Sequence, residues 1–203
     1  MTQVVTPSEN TITAGQIGKL QDILGAALRK SGLMSEPTQE VIETQGESLV
    51  AELVAAVRKR VEAVSNMIVR LVSVNRSRTP QETLDATGRR QYTDRNVVDA
   101  MPKGEGDEAT VYFFNLGRYV SDEELEKEYE LRGLKPADPY SLAAVNEEDP
   151  SFADTHPNGT HWHDANGKWC FAAFDHWRGE RGVFVSRSGR GWHGSWWFAG
   201  VRK

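Results

Sequence analysis

The chain has 203 residues, 38% of them hydrophobic and 26% charged, with a formal net charge of -5. That is enough for one good core, or for a small domain with a helical appendage. The acidic balance argues against a nucleic-acid partner, since phosphate binding needs concentrated Lys and Arg, and no apolar run approaches the length of a membrane span. Cys170 is the single cysteine, which excludes an intrachain disulfide and fits a reducing compartment. The opening MTQVVTPSEN has no basic n-region or apolar h-region, so the expected location is cytoplasmic, with a phage particle or display without a Sec signal left open.

In chain order, residues 1–10 read as a polar lead-in. From Thr13, apolar residues at Ile17, Leu20, Ile23, Leu24 and Leu28 recur at helical spacing, and Gly32 is a stop. A second helix is predicted from Glu36-Pro37 to about Asn66, with Ile42, Leu49, Leu53, Val57, Val61, Val64 and Ile68 along one stripe that Val50 and Val54 widen. Two readings of these helices follow. They form an antiparallel hairpin packed on its own domain, or a homo-oligomer through a stripe that approaches a heptad. Gly46 and the lack of paired flanking charges argue against a long dedicated coiled coil.

Met67 to Val74 reads as strand or helix end. Thr79-Pro80-Gln81-Glu82 is a capping box that opens a short helix before Gly88. After the polar turn KGEGDE, Ala109 to Tyr119 has strand composition. Ser121-Asp122-Glu123-Glu124 is a second capping box, and Asp138-Pro139 opens a third helix that closes before Asp149-Pro150. Such caps are worth about 1 kcal/mol each and mark where helices begin. Residues 151–167 read as loop, with Asn158-Gly159 and Asn166-Gly167 as turn signals. Three strand-like runs follow, Trp169 to Trp177, Gly182 to Ser188 and Trp196 to Arg202, and an antiparallel meander is the natural arrangement. The expected class is α+β: an N-terminal helical region over 1–75, then a domain over 76–203 with a small antiparallel sheet.

Trp169, Trp177, Trp192, Trp196 and Trp197 all fall in the last stretch, and every histidine lies between His156 and His193. Strand side chains point alternately to opposite faces. One face of the 181–190 run is therefore Arg181, Val183, Val185 and Arg187, a regular set suited to packing. The other is Gly182, Phe184, Ser186, Ser188 and Arg190, a set with no shared chemistry.

The segment ERGVFVSRSGRGWHGSWWFAGVRK resembles the C-terminal variable region of target proteins of diversity-generating retroelements. In those systems a reverse transcriptase miscopies template adenines into the 3′ end of the target gene, and asparagine codons are the main substrate. The fixed residues of that pattern stand here as Arg181, Val183, Val185, Arg187, Trp192, Trp196, Trp197, Phe198, Ala199, Gly200, Val201 and Arg202. The asparagine-type positions are Gly182, Phe184, Ser186, Ser188, Arg190, His193 and Ser195. Each is reachable from an asparagine codon by changing adenines alone. Gly189, Gly191 and Gly194 are likewise reachable from aspartate codons. The resemblance is firm over about the last third of the chain, looser from Tyr112, and places the variable region at about 175–195. It implies a C-type lectin-like domain, no enzymatic activity, and a macromolecular ligand, a protein in the first instance. The ligand surface would be the seven asparagine-type residues together with Trp192 at its rim. The sequence has no Glu-Pro-Asn or Gln-Pro-Asp motif, so neither calcium nor sugar binding carries over and no cofactor is expected.

The rival reading is a metal-binding module or metal-dependent hydrolase built on the histidine cluster, with His161, His163 and His193 as ligands and His156, Cys170 and His176 nearby. Imidazoles two apart on a strand share a face, but no spacing here matches a recognised zinc pattern. For catalysis the candidates are Cys170, which in an apolar strand reads as a small buried hydrophobe, and the pairs Asp154 with His156 and Asp175 with His176. No phosphate loop, nucleophile elbow or glycine fingerprint is present.

Overall fold

A computed structural model of the chain describes residues 12–64, 67–189 and 191–203. The chain divides between Lys59 and Arg60 into two compact units. Helices α1 (Ala14–Lys30) and α2 (Ser35–Val64) carry the N-terminal side of that division. Thr13 and Gln16 cap α1 reciprocally, and Gly32, at φ +72°, turns the chain after it. Neither helix buries its stripe: Ile17, Leu20, Ile23 and Leu28 on α1, and Ile42, Leu49, Leu53 and Val61 on α2, are all exposed. Among the described residues no helix is long and apolar enough to cross a membrane.

The second unit is built on an eight-stranded mixed sheet. Its strands are β1 (Met67–Ser73), β2 (Arg90–Thr93), β3 (Glu108–Asn115), β4 (Leu134–Pro136), β5 (Asn158–His163), β6 (Trp169–Trp177), β7 (Glu180–Arg187) and β8 (Trp197–Arg202). Their order is β1-β3-β8-β5-β6-β7-β2, with β4 also paired to β8. Because β1 pairs with β3 along its whole length, the boundary expected near residue 75 moves back to Lys59/Arg60. The protein is therefore α+β, N-terminal helices followed by a sheet domain.

Apolar side chains alternate across the sheet and feed two cores. Ile68, Val111, Phe113, Cys170, Ala172, Phe174, Val183, Val185 and Ala199 point to one side. There they meet α3 (Pro80–Ala86), α4 (Arg95–Val98), α6 (Pro139–Glu148) and α7 (Phe152–Thr155) through Leu84, Val97, Val98, Tyr140, Leu142, Val145 and Phe152. On the other side Phe114, Ala173, Trp192 and Phe198 meet Leu125 and Tyr129 of α5 (Asp122–Leu131). Helix α5 covers only part of that face. The predicted caps at Thr79, Ser121 and Asp138 all form.

Two expectations fail. The segment 151–167 is not all loop: α7 and β5 lie in it, and β5 sits inside the sheet, antiparallel to β6 and parallel to β8. The Asn158-Gly159 pair is a buried strand pair. Asn158 shares hydrogen bonds with Asn146, and a Cβ on Gly159 would stand 2.6 Å from Trp192 Cζ3. Glycine is there because an indole lies across the backbone, which is the other reason for glycine in a strand. The C-terminal meander also breaks. β6 and β7 are an antiparallel hairpin, but β8 leaves them to pair with β3 and β5, and the short β2 closes the edge parallel to β7. The sheet is thus mixed and larger than the small antiparallel one expected.

Candidate functional site: the open face of β6, β7 and β2

Register places the site. Phe171, Ala173 and Asp175 of β6 lie opposite Ser186, Phe184 and Gly182 of β7, and Gly182 and Phe184 lie opposite Arg90 and Tyr92 of β2. All point to the face that α5 leaves uncovered. The intervening β7 residues are held on the other side. Val183 and Val185 are fully buried, Arg181 forms a two-bond pair with Asp154, and Arg187 reaches Asp94 and Asp164. Arg181, Val183 and Val185 therefore anchor β7, and Arg187 is ion-paired yet also lines the pocket on the open face. Phe184, Ser186 and Ser188 are half-buried on that face, and Gly182 is buried there.

On that face a pocket of about 440 Å³ is lined by Phe171, Ala173, Asp175, Phe184, Ser188 and the rings of Trp192 and Trp196, among others. Of the expected ligand residues, Phe184 and Ser188 line it directly. Phe184 stacks on Tyr92 with centroids 4.9 Å apart and planes within 9°. Ser186 and Gly182 share the face. His193 and Ser195 are exposed on the loop beyond, His193 edge-on to Tyr119. Arg190 lies outside the described residues.

Trp192 is not at the rim. It is 4% exposed, joined to Val120 by two backbone hydrogen bonds, and its Nε1 donates to Asp122 Oδ1 at 2.8 Å. Asp122, the first residue of α5, is the hub beneath the pocket. It also accepts from Ser188 Oγ at 2.5 Å and meets His161 Nδ1 at 2.9 Å. Burial pushes its carboxyl up, but His161, Ser188 and Trp192 together outweigh that and hold it below the ordinary range. His161 has its other nitrogen 3.0 Å from Glu126 Oε1. Burial works against the charged ring, yet the two carboxylates win and its pKa is raised.

These shifts predict a pH profile. The contribution of His161 is complete below its unfolded value of about 6.5 and is lost as pH rises through the raised folded value. The contribution of Asp122 is present above about 3.9 and lost as pH falls through its depressed folded value. Urea midpoints should therefore be higher near pH 5.5 than near pH 8.5, and His161→Gln should flatten that alkaline fall. An equal fall in the variant would assign it to other groups.

No family model, curated protein or solved structure matches this chain. Its chemistry must be read from the residues themselves.

The rival histidines are engaged elsewhere. His161 and His163 both pack on Trp169, at centroid distances of 4.5 and 3.6 Å, from a strand rather than a loop. Among the described residues no three His, Cys, Asp or Glu side chains are grouped to hold a metal ion. Asp154 is committed to Arg181, and the buried Cys170 has its thiol pushed up by burial. Ser188 gives its proton to a carboxylate and not to an imidazole. Of the indoles, Trp169 donates to Glu123, while Trp162 Nε1 is buried without a hydrogen-bond partner.

Asp122, Phe171 and Tyr92 are site residues that the sequence did not single out, and Asp175 stands out there only as an acid-base partner of His176. Asp122 was legible only as part of a capping box. The alternation Phe171-x-Ala173-x-Asp175 was visible, but its face depends on the register with β7. The aspartate-type glycines also separate here. Gly189 has open space, whereas Gly191 (φ +66°) would bring a Cβ to 2.5 Å from Val120 O, and Gly194 to 2.8 Å from Arg118 N. Gly191 and Gly194 are packed positions in this loop.

Proposed function

We propose that the protein is a non-enzymatic ligand-binding protein whose C-terminal surface is diversified by retroelement-templated adenine mutagenesis, on a C-type lectin-like domain. One observation carries this reading: β7 buries Val183 and Val185 on one face, and on the other its asparagine-type residues Phe184 and Ser188 line an open pocket, with Gly182 and Ser186 on the same face. Substitution at Phe184 or Ser188 changes the pocket without touching Val183 and Val185. Rigid aromatic walls with small adaptable polar groups are the composition of surfaces selected for binding. The ligand is a macromolecule, a protein in the first instance. The exposed apolar stripes of α1 and α2 support self-association through those helices as part of the same reading.

A saturation library sorted for folded protein tests the architecture. Positions 184, 186, 193 and 195 should accept most side chains, each within about 1 kcal/mol as at ordinary surface sites, and 182 and 188 a narrower set, because a Cβ at 182 meets Phe184 and Ser188 bonds Asp122. Positions 183, 185, 192 and 198 should accept few. Equal intolerance in the two sets would sink the reading.

A further inference from the structure

The pocket holds a carboxylate that no hydrogen bond among the described residues answers, although the charges of Arg89 and His176 act on it. Asp175 lines it, no described donor reaches its carboxylate, and its Oδ1 is buried without a hydrogen-bond partner. The neighbouring acids are all satisfied. Asp122 holds His161, Ser188 and Trp192, and Glu180 holds Arg90 and Tyr92. Asp154 holds Arg181, and Asp164 faces Arg187. Arg89 donates to the backbone oxygen of Asp175 and otherwise to Asn146 and Pro150, and Arg187, which also lines the pocket, is paired with Asp94 and Asp164.

We propose, building on the binding function above, that this pocket receives the guanidinium of an arginine side chain presented by a partner protein, with Asp175 as its counter-ion and Phe184, Trp192 and Trp196 as aromatic walls. A neutral or anionic guest would further desolvate an unpaired carboxylate, which is costly. A cation gains both the ion pair and the negative ring faces around it. A guanidinium suits the walls better than an ammonium, because it is planar, weakly hydrated and stacks on rings while forming parallel bonds to a carboxylate. The volume of about 440 Å³ lies within the range of side-chain and small-ligand sites.

Position 182 acts as the gate of the charge. A Cβ on Gly182 would stand 3.2 Å from Asp175 Oδ1 and 2.9 Å from Phe184 Cε2. Glycine there leaves the carboxylate room, and a larger residue would crowd it. Asp175 itself precedes the asparagine-type positions. On this account the charge and the two indole walls are constant, and Phe184 and the gate vary around them.

The test titrates the whole chain with Nα-acetyl-L-arginine methylamide and with its citrulline counterpart, following the indole N–H resonances of Trp192 and Trp196. The arginine probe should shift them saturably, and the citrulline probe should bind about tenfold or more weakly, the loss expected when a charge-assisted contact is removed. Asp175→Asn should show the same loss with arginine and should fold, because it removes a charge that no hydrogen bond answers. Phe184→Ala should weaken binding while leaving the arginine preference. Equal binding of the two probes, or unchanged binding by Asp175→Asn, overturns the cation site. So does silence of both indoles at about 0.1 M probe, a concentration that would detect even very weak affinity. None of these three results touches the tolerance pattern that tests the binding surface itself.

Discussion

Asp122→Ala is expected to destabilise the C-terminal unit by about 3–5 kcal/mol, the range for removing one partner of a buried, hydrogen-bonded charge pair. The side chain is 7% exposed and faces a fully buried His161. Its removal strands an imidazole whose charged form it helps to hold, an indole N–H and the Ser188 hydroxyl. Urea denaturation at pH 6 measures the loss. Asp122→Asn should fall between, since an amide oxygen accepts but carries no charge. Asp122→Ala combined with His161→Gln should recover part of the deficit, because the cost lies in the charge left behind. A loss under about 1 kcal/mol would reduce Asp122 to a favourable negative charge in the first turn of α5.

Gly159→Ala is the second large effect, expected at about 1–3 kcal/mol as an overpacking change. The new methyl would meet Trp192 at 2.6 and 2.8 Å and the Ala172 carbonyl oxygen at 3.3 Å. Strand β5 cannot yield easily, being paired on both sides, so the indole must move. That displacement weakens the bond from Trp192 to Asp122 and opens the pocket wall, so indole fluorescence should change together with stability. Unchanged fluorescence and stability would mean that Trp192 does not lie across β5.

The local grammar of the chain was readable where it is local. Capping boxes at Thr79 and Ser121 involve residues three apart, and they form as read. Strand β6 runs from Trp169 to Trp177 as its composition suggests, and in β7 Val183 and Val185 are buried while Phe184 and Ser186 are half-buried. What escaped was long-range. Asn158-Gly159 has the same letters as a turn, and only Trp192, distant in sequence, makes it a strand. The placement of β8 between β3 and β5 rests on pairings across most of the domain. Asp122 and Asp175 became visible as site residues only when α5 and β6 were set beside β7.

The glycines refine which positions can vary. Gly182 is crowded by flexible or variable neighbours, while Gly191 and Gly194 face backbone atoms. A diversified population that keeps this loop should therefore retain glycine at 191 and 194, even where aspartate codons would permit change. Positions 182, 184, 186, 188, 190, 193 and 195 should vary.

Deep sequencing of the gene's 3′ end in its native population, with the flanking DNA, tests the central claim most directly. The account predicts a nearby near-copy that differs only at adenines, and variation concentrated at the seven asparagine-type positions. A uniform 3′ end, with no second copy and no neighbouring reverse transcriptase, would contradict it.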